Sequence, residues 1–355
     1  MGAVSESPIL RTLPADMYLD SAQYAVEQRE VFGKEWVLVG YEFELLDSGD
    51  YITEDVGGQL VVVWRSPEGA LVAFLNICPH RAGPIMWPGP GCQANLVCRY
   101  HGWAFQPDGQ VRATPGFGGE LPDGVGLQMV RVDSWRGMVF VCLSPTTDGL
   151  SRYLGDFPSV CVDFPMEQYR FHSRTVRTMS VNWKTYSDNF LEGYHVPYIH
   201  PGMSRDVQSR DYKVITNPDR RWNVHLAKPR TDDSLWDGVW VYFYPNFSMD
   251  IFPGGLSVER WLPRGVGKTD LIFEYFFDAD APNVDDIVKT SEEVADEDVR
   301  AAEHVQRAFD SGAFNQGYLS PRHENAVALF HDTIRDITAA GGPAGPTERA
   351  STDQV

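Results

Sequence analysis

Two short clusters of cysteine and histidine are the residues of this chain best suited to chemistry. The first is Cys78-x-His80, the second is Cys98-x2-His101, and seventeen residues lie between them. Each cluster supplies one thiolate and one imidazole, so two loops could enclose a metal between them. One candidate is a structural zinc ion in a tetrahedral Cys2His2 site. The other is a Rieske [2Fe–2S] cluster, in which two histidines replace two cysteines on one iron.

The arrangement of these ligands favours the iron–sulfur cluster over zinc. A zinc finger usually groups cysteine with cysteine and histidine with histidine, whereas here each loop carries one of each and can serve both irons. Glycine and proline are frequent around both clusters, as at Gly83, Pro84 and Gly102. Such residues form tight loops, and the backbone N–H groups of these loops can donate hydrogen bonds to cluster sulfurs.

A second pair of histidines, His195 and His200, lies in the segment from Asn182 to Gly202. On an unbroken helix their offset of five residues corresponds to a rotation of about 140°, which suits a shared metal poorly. Pro197 lies between them and disfavours an unbroken helix. We therefore expect His195 to end a helix and His200 to return from the following loop. With a carboxylate they would form the facial triad of non-haem iron. The alternative is a pair of ordinary histidines near a helix end.

Both regions resemble the same family. CPHRAG, CRYHGWAF and the following turn Pro-Asp-Gly resemble the Rieske ferredoxin motif. NWK followed by DNFLEGYH resembles the iron region of Rieske non-haem iron oxygenase α-subunits, and the glutamate in it resembles the choline and carnitine monooxygenase branch. The resemblance implies a [2Fe–2S] cluster held by Cys78, His80, Cys98 and His101, and a mononuclear Fe(II) held by His195 and His200.

The same resemblance implies a carboxylate ligand on a helix near the C-terminus. Asp298 matches the family pattern best and Asp296 is the rival, although most acids in this run would simply form a solvated helix face. Glu192 lies one helical turn before His195 and is expected to link the two metal centres across a subunit boundary, by accepting hydrogen bonds from a ligating histidine on each. Asp188 is the other acid suited to that role, and Asn189 is a candidate pocket residue.

Substrate residues are predicted from aromatic side chains. Trp240, Tyr242 and Tyr244 are every second residue of a predicted strand and therefore lie on one of its faces. Tyr194 and Tyr198 lie within and just after the iron motif. Aromatic faces can hold a quaternary ammonium group or a planar ring, but they can equally be sheet core. We favour a choline-, betaine- or carnitine-like substrate that is hydroxylated or N-demethylated.

Two alternatives remain open. One is mono- or dioxygenation of the ring of an aromatic acid or amine, and the other is a Rieske electron carrier without the second iron. Three basic residues, Arg205, Lys228 and Arg230, are candidates to bind a substrate carboxylate.

The order of predicted elements gives an α+β fold. An antiparallel β Rieske domain precedes a helix-grip catalytic domain, in which helices cover an antiparallel sheet. The predicted boundaries are 1–40 for an N-terminal helical segment on the catalytic domain, 41–145 for the Rieske domain, 146–340 for the catalytic domain, and 341–355 for a mobile tail. Helices are expected at 21–34, 183–194, 283–309 and 321–339.

Composition restricts the partners of this chain. A formal charge of −19 argues against nucleic-acid binding. No apolar run reaches the length of a membrane span. The cysteines show no disulfide framework, so a cytoplasmic location is expected. The resemblance implies O2, a small-molecule substrate, a separate reductase or ferredoxin as electron donor, and a homotrimer, while the short chain puts a β-subunit in doubt.

Overall fold

The computed structural model describes residues 10–162, 164–208, 211–217, 219, 221–230 and 238–340. The predicted tail at 341–355 lies outside the described residues. Within the described ranges, no helix combines the length and apolar character needed to cross a membrane.

The first half of the chain is built almost entirely from short strands. They are β1 (Leu10–Arg11), β2 (Val37–Tyr41), β3 (Asp50–Val56), β4 (Gln59–Arg65), β5 (Leu71–Leu75), β6 (Gly91–Cys92), β7 (Leu96–Val97), β8 (Ala104–Phe105), β9 (Val111–Ala113), β10 (Met129–Trp135) and β11 (Met138–Cys142). A seven-stranded antiparallel sheet has the order β2-β11-β10-β5-β4-β3-β6, and β7-β8-β9 form a separate small sheet. The two predicted metal loops follow β5 and connect β7 to β8.

The second half contains one large antiparallel sheet. Its strands are β12 (Arg170–Met179), β13 (Lys213–Thr216), β14 (Trp222–Leu226), β15 (Val239–Phe243), β16 (Phe247–Phe252), β17 (Gly255–Gly265) and β18 (Lys268–Phe277), and β19 (Tyr318–Leu319) pairs with β1. The sheet order is β12-β18-β17-β16-β15-β14-β13. Its middle strands carry alternating bulky side chains, so both faces bury apolar surface.

Most helices cover one face of this sheet, whereas the two short helices between the first sheet and β12 pack at the other face. They are α1 (Asp16–Leu19), α2 (Ser21–Glu27), α3 (Leu150–Leu154), α4 (Phe157–Val160), α5 (Trp183–Phe190), α6 (Val196–Ile199), α7 (Met203–Asp206), α8 (Val284–Asp310) and α9 (Asn325–Ala340); a π-helical turn (Gln28–Phe32) extends α2, and 3-10 turns lie at Glu42–Glu44 and Met166–Gln168. Asp20 begins α2, because its Oδ1 accepts a hydrogen bond from the Ala22 N–H at 2.7 Å.

The other face of the large sheet packs against the first sheet. Leu38 and Phe140 of the first sheet share a core with Val241 and Phe247 of the second. A buried polar contact crosses the same boundary, where the Tyr41 hydroxyl donates to Glu274 Oε2 at 2.6 Å. Glu274 also pairs with Arg260 at 2.6 Å, which satisfies its charge.

The α+β prediction is confirmed, with a β domain followed by a helix-covered antiparallel sheet. The predicted boundary at residue 40 falls inside β2, which belongs to the first sheet, so the N-terminal segment ends before Val37. Pairing with β11 places β2 in the first sheet. This contact joins residues about 100 positions apart, and local sequence patterns do not reveal it. The helix predicted over 183–194 ends at Phe190, four residues early.

Candidate metal centres and active site

The two cysteine–histidine loops have the same backbone geometry. Cys78 N–H donates to Gly83 O at 2.9 Å, and Cys98 N–H donates to Trp103 O at 2.8 Å. Each cysteine carbonyl then accepts from the residue four positions later, Ala82 or Gly102, at 3.0 Å. Those two residues both have positive φ, at 55° and 73°. Two equivalent turns therefore present two equivalent pairs of ligands to one point.

The side chains at this point are arranged as a two-iron cluster requires. The cysteines are buried, at 1% and 2% exposure, within the core of the β domain. The rings of His80 and His101 lie on the outer side, with centroids 4.6 Å apart. His80 Nδ1 is buried and has no hydrogen-bond partner in the described part of the chain, which leaves it free to bind metal.

The environment of the sulfurs also fits a cluster. Burial raises the pKa of the Cys78 thiol to about 11, although the backbone N–H of His80 acts in the opposite direction. A thiol in this position stays protonated unless a metal deprotonates it. Gly83 is required for close approach, because a Cβ here would lie 3.0 Å from Cys98 Sγ. The residues present therefore fit a [2Fe–2S] cluster.

The second pair of histidines brackets a single helical turn. His195 immediately precedes α6 and His200 immediately follows it, so both rings turn toward the long helix α8. Asp298 of α8 meets them, with its Oδ1 3.0 Å from His200 Nε2 and 3.8 Å from His195 Nε2. One ligand atom from each residue lies within 4.8 Å of the others. This donor set, two imidazoles and a carboxylate, fits a mononuclear iron with open positions.

A glutamate holds each of these imidazoles from behind. Glu192 Oε1 lies 2.6 Å from His195 Nδ1, and Glu297 Oε2 lies 2.8 Å from His200 Nδ1. Each ring therefore presents Nε2 to the metal position and has its tautomer set by a carboxylate. Burial disfavours the charged form of His200, but Asp298 and Glu297 outweigh burial and raise its pKa.

The position of Asp298 follows from the face of α8 on which it lies. Ala295 and Ala302, three residues before and four after it, are both almost fully buried, so Asp298 belongs to the inward stripe. The Asn189 amide donates to its Oδ1 at 2.7 Å. Asp296, the rival candidate, points away; its side chain is 62% exposed and pairs with Arg177 at 2.8 Å.

A cavity of about 90 Å³ opens beside these three side chains. Aromatic rings and acids line most of it, and among the described residues none of those lining it is lysine or arginine. Six of the lining residues lie on the sheet or near it: Tyr186, Tyr212, His225, Trp240, Asp250 and Glu259.

Comparison with known proteins identifies both halves of the chain. Residues 35–129 match the Rieske [2Fe-2S] domain, and residues 166–340 match the catalytic domain of ring-hydroxylating α-subunits. The chain belongs to the Rieske non-haem iron oxygenase α-subunit family. This oxygenase α-subunit accordingly carries a Rieske [2Fe–2S] cluster and a mononuclear iron, and takes electrons from a reductase or ferredoxin.

Several relatives are similar over nearly the whole chain. Chloroplastic choline monooxygenase of Arabidopsis thaliana is 28% identical over 352 residues, which cover 90% of this chain and 82% of that protein. The carnitine monooxygenase oxygenase subunit of Escherichia coli K12 is 28% identical over 367 residues, covering 92% and 93%. The solved structure of a quaternary ammonium Rieske monooxygenase with L-carnitine has a TM-score of 0.81 at 24% identity, covering 93% and 96%, and supports the fold.

Some of the predicted site residues of this α-subunit lie at the cavity and others do not. Asn189, Glu192 and Trp240 line it. Asp188 does not, because its two carboxylate oxygens are bound by the Tyr18 hydroxyl at 2.5 Å and by His331 Nε2 at 2.8 Å. Glu192 is not on the helix of Asp188, since α5 has ended, and its position in a turn differs from the predicted helix face.

The remaining predicted substrate residues lie elsewhere. Tyr242 and Tyr244 are in the sheet core, since Tyr242 packs against Trp261. Tyr194 and Tyr198 are 49% and 81% exposed and line an outer groove. The three basic residues predicted as candidates to bind a substrate carboxylate are exposed and do not line the cavity. They are Arg205, Lys228 and Arg230.

Four residues at the site were not predicted from the sequence. Glu297 and His225 gave no separate signal, because acids are common on α8 and His225 stands alone in its segment. Asp250 and Glu259 did give one, since each is the one acid in a strand sequence made mostly of apolar residues, FSMDIF and LSVERWL. A charged side chain in such a strand either pairs with an oppositely charged side chain or faces a binding site.

Proposed function

We propose that this oxygenase α-subunit hydroxylates or N-demethylates a small quaternary ammonium compound of the choline, betaine or carnitine type. The single observation that carries the proposal is the cavity beside His195, His200 and Asp298, which is acidic, aromatic and free of lysine and arginine among its described residues. The names of two relatives, a choline monooxygenase and a carnitine monooxygenase subunit, point to the same class.

Each residue has a role in this proposal. Cys78, His80, Cys98 and His101 would hold the cluster, and His195, His200 and Asp298 would hold the iron. When bound, the iron supplies redox chemistry with O2, and the cluster supplies electrons one at a time. Glu192 and Glu297 orient the two imidazoles. Asn189 fixes Asp298, so that one of its oxygens faces the histidines. The apolar walls limit the entry of water into a small site.

The aromatic rings suit an alkylated ammonium group. The rings of Tyr212 and Trp240 stack with centroids 6.2 Å apart, and both border the cavity. A cation over such a face gains about 0.5–2 kcal/mol, depending on how dry the site is. An uncharged aromatic ring, which the ring-hydroxylation alternative would place here, would instead leave the acids of the cavity without a counter-charge. The intact triad geometry argues against a simple electron carrier.

We further propose that electrons reach the iron from the cluster of a neighbouring copy, in a homotrimer located in the cytoplasm. His101 is exposed at the tip of one cluster loop, and the exposed Tyr194 and Tyr198 follow Glu192 closely in the chain. A head-to-tail ring would join these surfaces. Light scattering on the purified protein tests this; a protein that turns over fully as a monomer contradicts it.

Metal analysis and turnover test the main proposal. Purified protein should be red-brown, contain about three iron atoms per chain, and give a Rieske EPR signal when reduced. With a reductase, it should consume O2 and convert choline, betaine or carnitine, but not benzoate or anthranilate. A His195→Ala protein should keep the cluster spectrum and lose one iron and all turnover. A colourless protein, or a variant that lost that iron yet retained turnover, would contradict the proposal.

A further inference from the structure

Two acids, the half-buried Asp250 and the buried Glu259, lie on the sheet strands that form the floor of the cavity. Asp250 of β16 stands directly opposite Trp240 of β15 and Ser257 of β17. Glu259 of β17 stands opposite Ser248, two residues before Asp250. Directly opposed residues in an antiparallel pair point to the same face of a sheet. Both carboxylates therefore share the cavity face with the Trp240 ring.

Neither acid has a cationic partner among the described residues. Asp250 accepts from the Ser257 hydroxyl at 3.2 Å, and Glu259 accepts from the hydroxyls of Ser248 and Tyr186. Other buried acids of this chain are paired with a cation: Glu274 with Arg260, at 2.6 Å, and Glu27 with Lys184, at 2.7 Å. A buried carboxylate without a cation is costly unless a ligand supplies the charge.

His225 is a third polar residue on the floor of the cavity, and one of its two ring nitrogens is not used in a hydrogen bond to a described residue. His225 of β14 stands opposite Trp240, so it extends the same cross-strand row. It is 1% exposed, its Nδ1 lies 2.8 Å from the Tyr212 hydroxyl, and its Nε2 has no hydrogen-bond partner among the described residues. Burial, followed by the proximity of His195, lowers the pKa of His225 to about 3. It is therefore a neutral ring with one hydrogen-bonding atom unused.

We propose that Asp250 and Glu259 are the counter-charges for the substrate's ammonium group beside Trp240, and that His225 bonds an uncharged polar group of the same molecule. The substrate class is thus an alkylammonium cation with a hydroxyl-type group and no carboxylate. This inference rests on the proposed function and narrows it, because zwitterions such as betaine and carnitine are then poor ligands.

The charge of the cavity lining supports this narrower class. A zwitterion would bring its carboxylate into a cavity of about 90 Å³ whose described lining includes Asp250, Glu259, Asp298 and Glu192 but neither lysine nor arginine. Like charges close together in a poorly hydrated site repel strongly. A quaternary ammonium cannot donate hydrogen bonds, so it depends on carboxylate charge and aromatic faces. Trp240 supplies such a face between His225 and Asp250.

The test measures binding to the iron-loaded protein by calorimetry. The ligands are choline, its uncharged isostere 3,3-dimethylbutan-1-ol, tetramethylammonium, betaine and carnitine. We expect choline to bind at least about tenfold more tightly than the isostere and than either zwitterion. Tetramethylammonium should bind more weakly than choline, since it leaves His225 Nε2 without a partner. Choline turnover is measured in parallel with aromatic amines and acids.

Neutral variants assign the effect to the acids. Asp250→Asn and Glu259→Gln should each weaken choline binding about tenfold or more while changing affinity for the uncharged isostere less than about threefold. Glu293→Gln removes the same charge from an exposed position on α8, with 66% of its side chain exposed, and should leave both affinities unchanged. The cluster absorbance and far-UV circular dichroism identify a variant that has failed to fold. If one variant misfolds, the other tests the claim.

The outcomes separate this inference from the proposed function. If quaternary ammonium compounds are converted but both variants bind choline within twofold of the wild type, or zwitterions bind as tightly as choline, the inference is wrong and the function stands. If aromatic compounds are converted and no ammonium compound binds, both are wrong.

Discussion

Glu192 Oε1 lies 2.6 Å from the Nδ1 of His195, on the side of the imidazole ring opposite Asp298. The carboxylate also accepts from the backbone N–H of His195 at 3.1 Å and from that of Tyr194. The backbone of the turn that follows Glu192 thus fixes the position of its carboxylate. This contact sets the tautomer of a ring whose other nitrogen faces the iron position.

Replacing Glu192 by glutamine should weaken iron binding or turnover about 10–100-fold, because a neutral amide supports the imidazole less well. The cluster absorbance should stay at its wild-type value, since Glu192 is distant in the fold from the cysteine loops of the same chain. Iron content by mass spectrometry and substrate-dependent O2 uptake measure the two effects. Glu293→Gln provides the control, and equal behaviour of the two variants would rule out a special role for Glu192.

The assignment of the third iron ligand predicts different effects for two neighbouring acids. Asp298→Asn should lose the mononuclear iron and turnover, because one ligand carboxylate is replaced by a weaker neutral donor. Asp296→Asn should retain both, since that side chain is mostly exposed and meets Arg177 instead. Its stability should change by no more than about 1 kcal/mol. Iron retained in the Asp298 variant and lost in the Asp296 variant would reverse the assignment.

The turn before His195 depends on a missing side chain. A Cβ on Gly193 would lie 2.3 Å from the ring of Tyr212, whereas a Cβ on Gly202 of the same segment would meet nothing within 4 Å. Gly193→Ala should therefore displace Tyr212 or the turn and lower both thermal stability and iron content. Gly202→Ala should behave like the wild type. Melting temperature and iron analysis compare the two, and an unaffected Gly193 variant would refute the close packing described here.

Stability should depend on pH through the two floor acids. Burial raises the pKa of Asp250 to about 7, although the hydrogen bond from Ser257 acts in the opposite direction. Burial, followed by the charge of Asp250, raises the pKa of Glu259 to about 8. Asp298 also raises the pKa of Glu259, whereas the hydrogen bonds from Tyr186 and Ser248 lower it. Both unfolded values are about 4. The folded state therefore holds protons more tightly, and stability falls as pH rises from about 4 to 8.

Thermal unfolding between pH 5 and 8.5 measures this dependence. Asp250→Asn should be more stable than the wild type at pH 8.5, on the order of 1 kcal/mol, with the gain shrinking toward pH 5. Choline, which we expect to bind the ionised acids, should raise the wild-type melting temperature more at pH 8 than at pH 6. A gain for the variant that is the same at every pH would contradict the raised pKa values.

The α+β class, the two metal-binding segments and the family were predictable from the sequence. Short-range features carried that information. The pairs Cys78-x-His80 and Cys98-x2-His101 specify their ligands within a few residues, and Pro197 between His195 and His200 signals a broken helix. Spacing of this kind is local chemistry, and it does not depend on how distant segments pack.

Tertiary structure decided which acids and rings form the site. Asp298 and Asp296 are two residues apart on α8, and only packing of that helix onto the sheet turns one inward and the other toward Arg177. Trp240 and Tyr242 share a strand face, yet one lines the cavity and the other lies in the core under α5. The row of His225, Trp240 and Asp250 exists only through strand register. Register depends on the turns and on which strands pair, so the pattern within one strand does not show which residue of the next strand stands opposite.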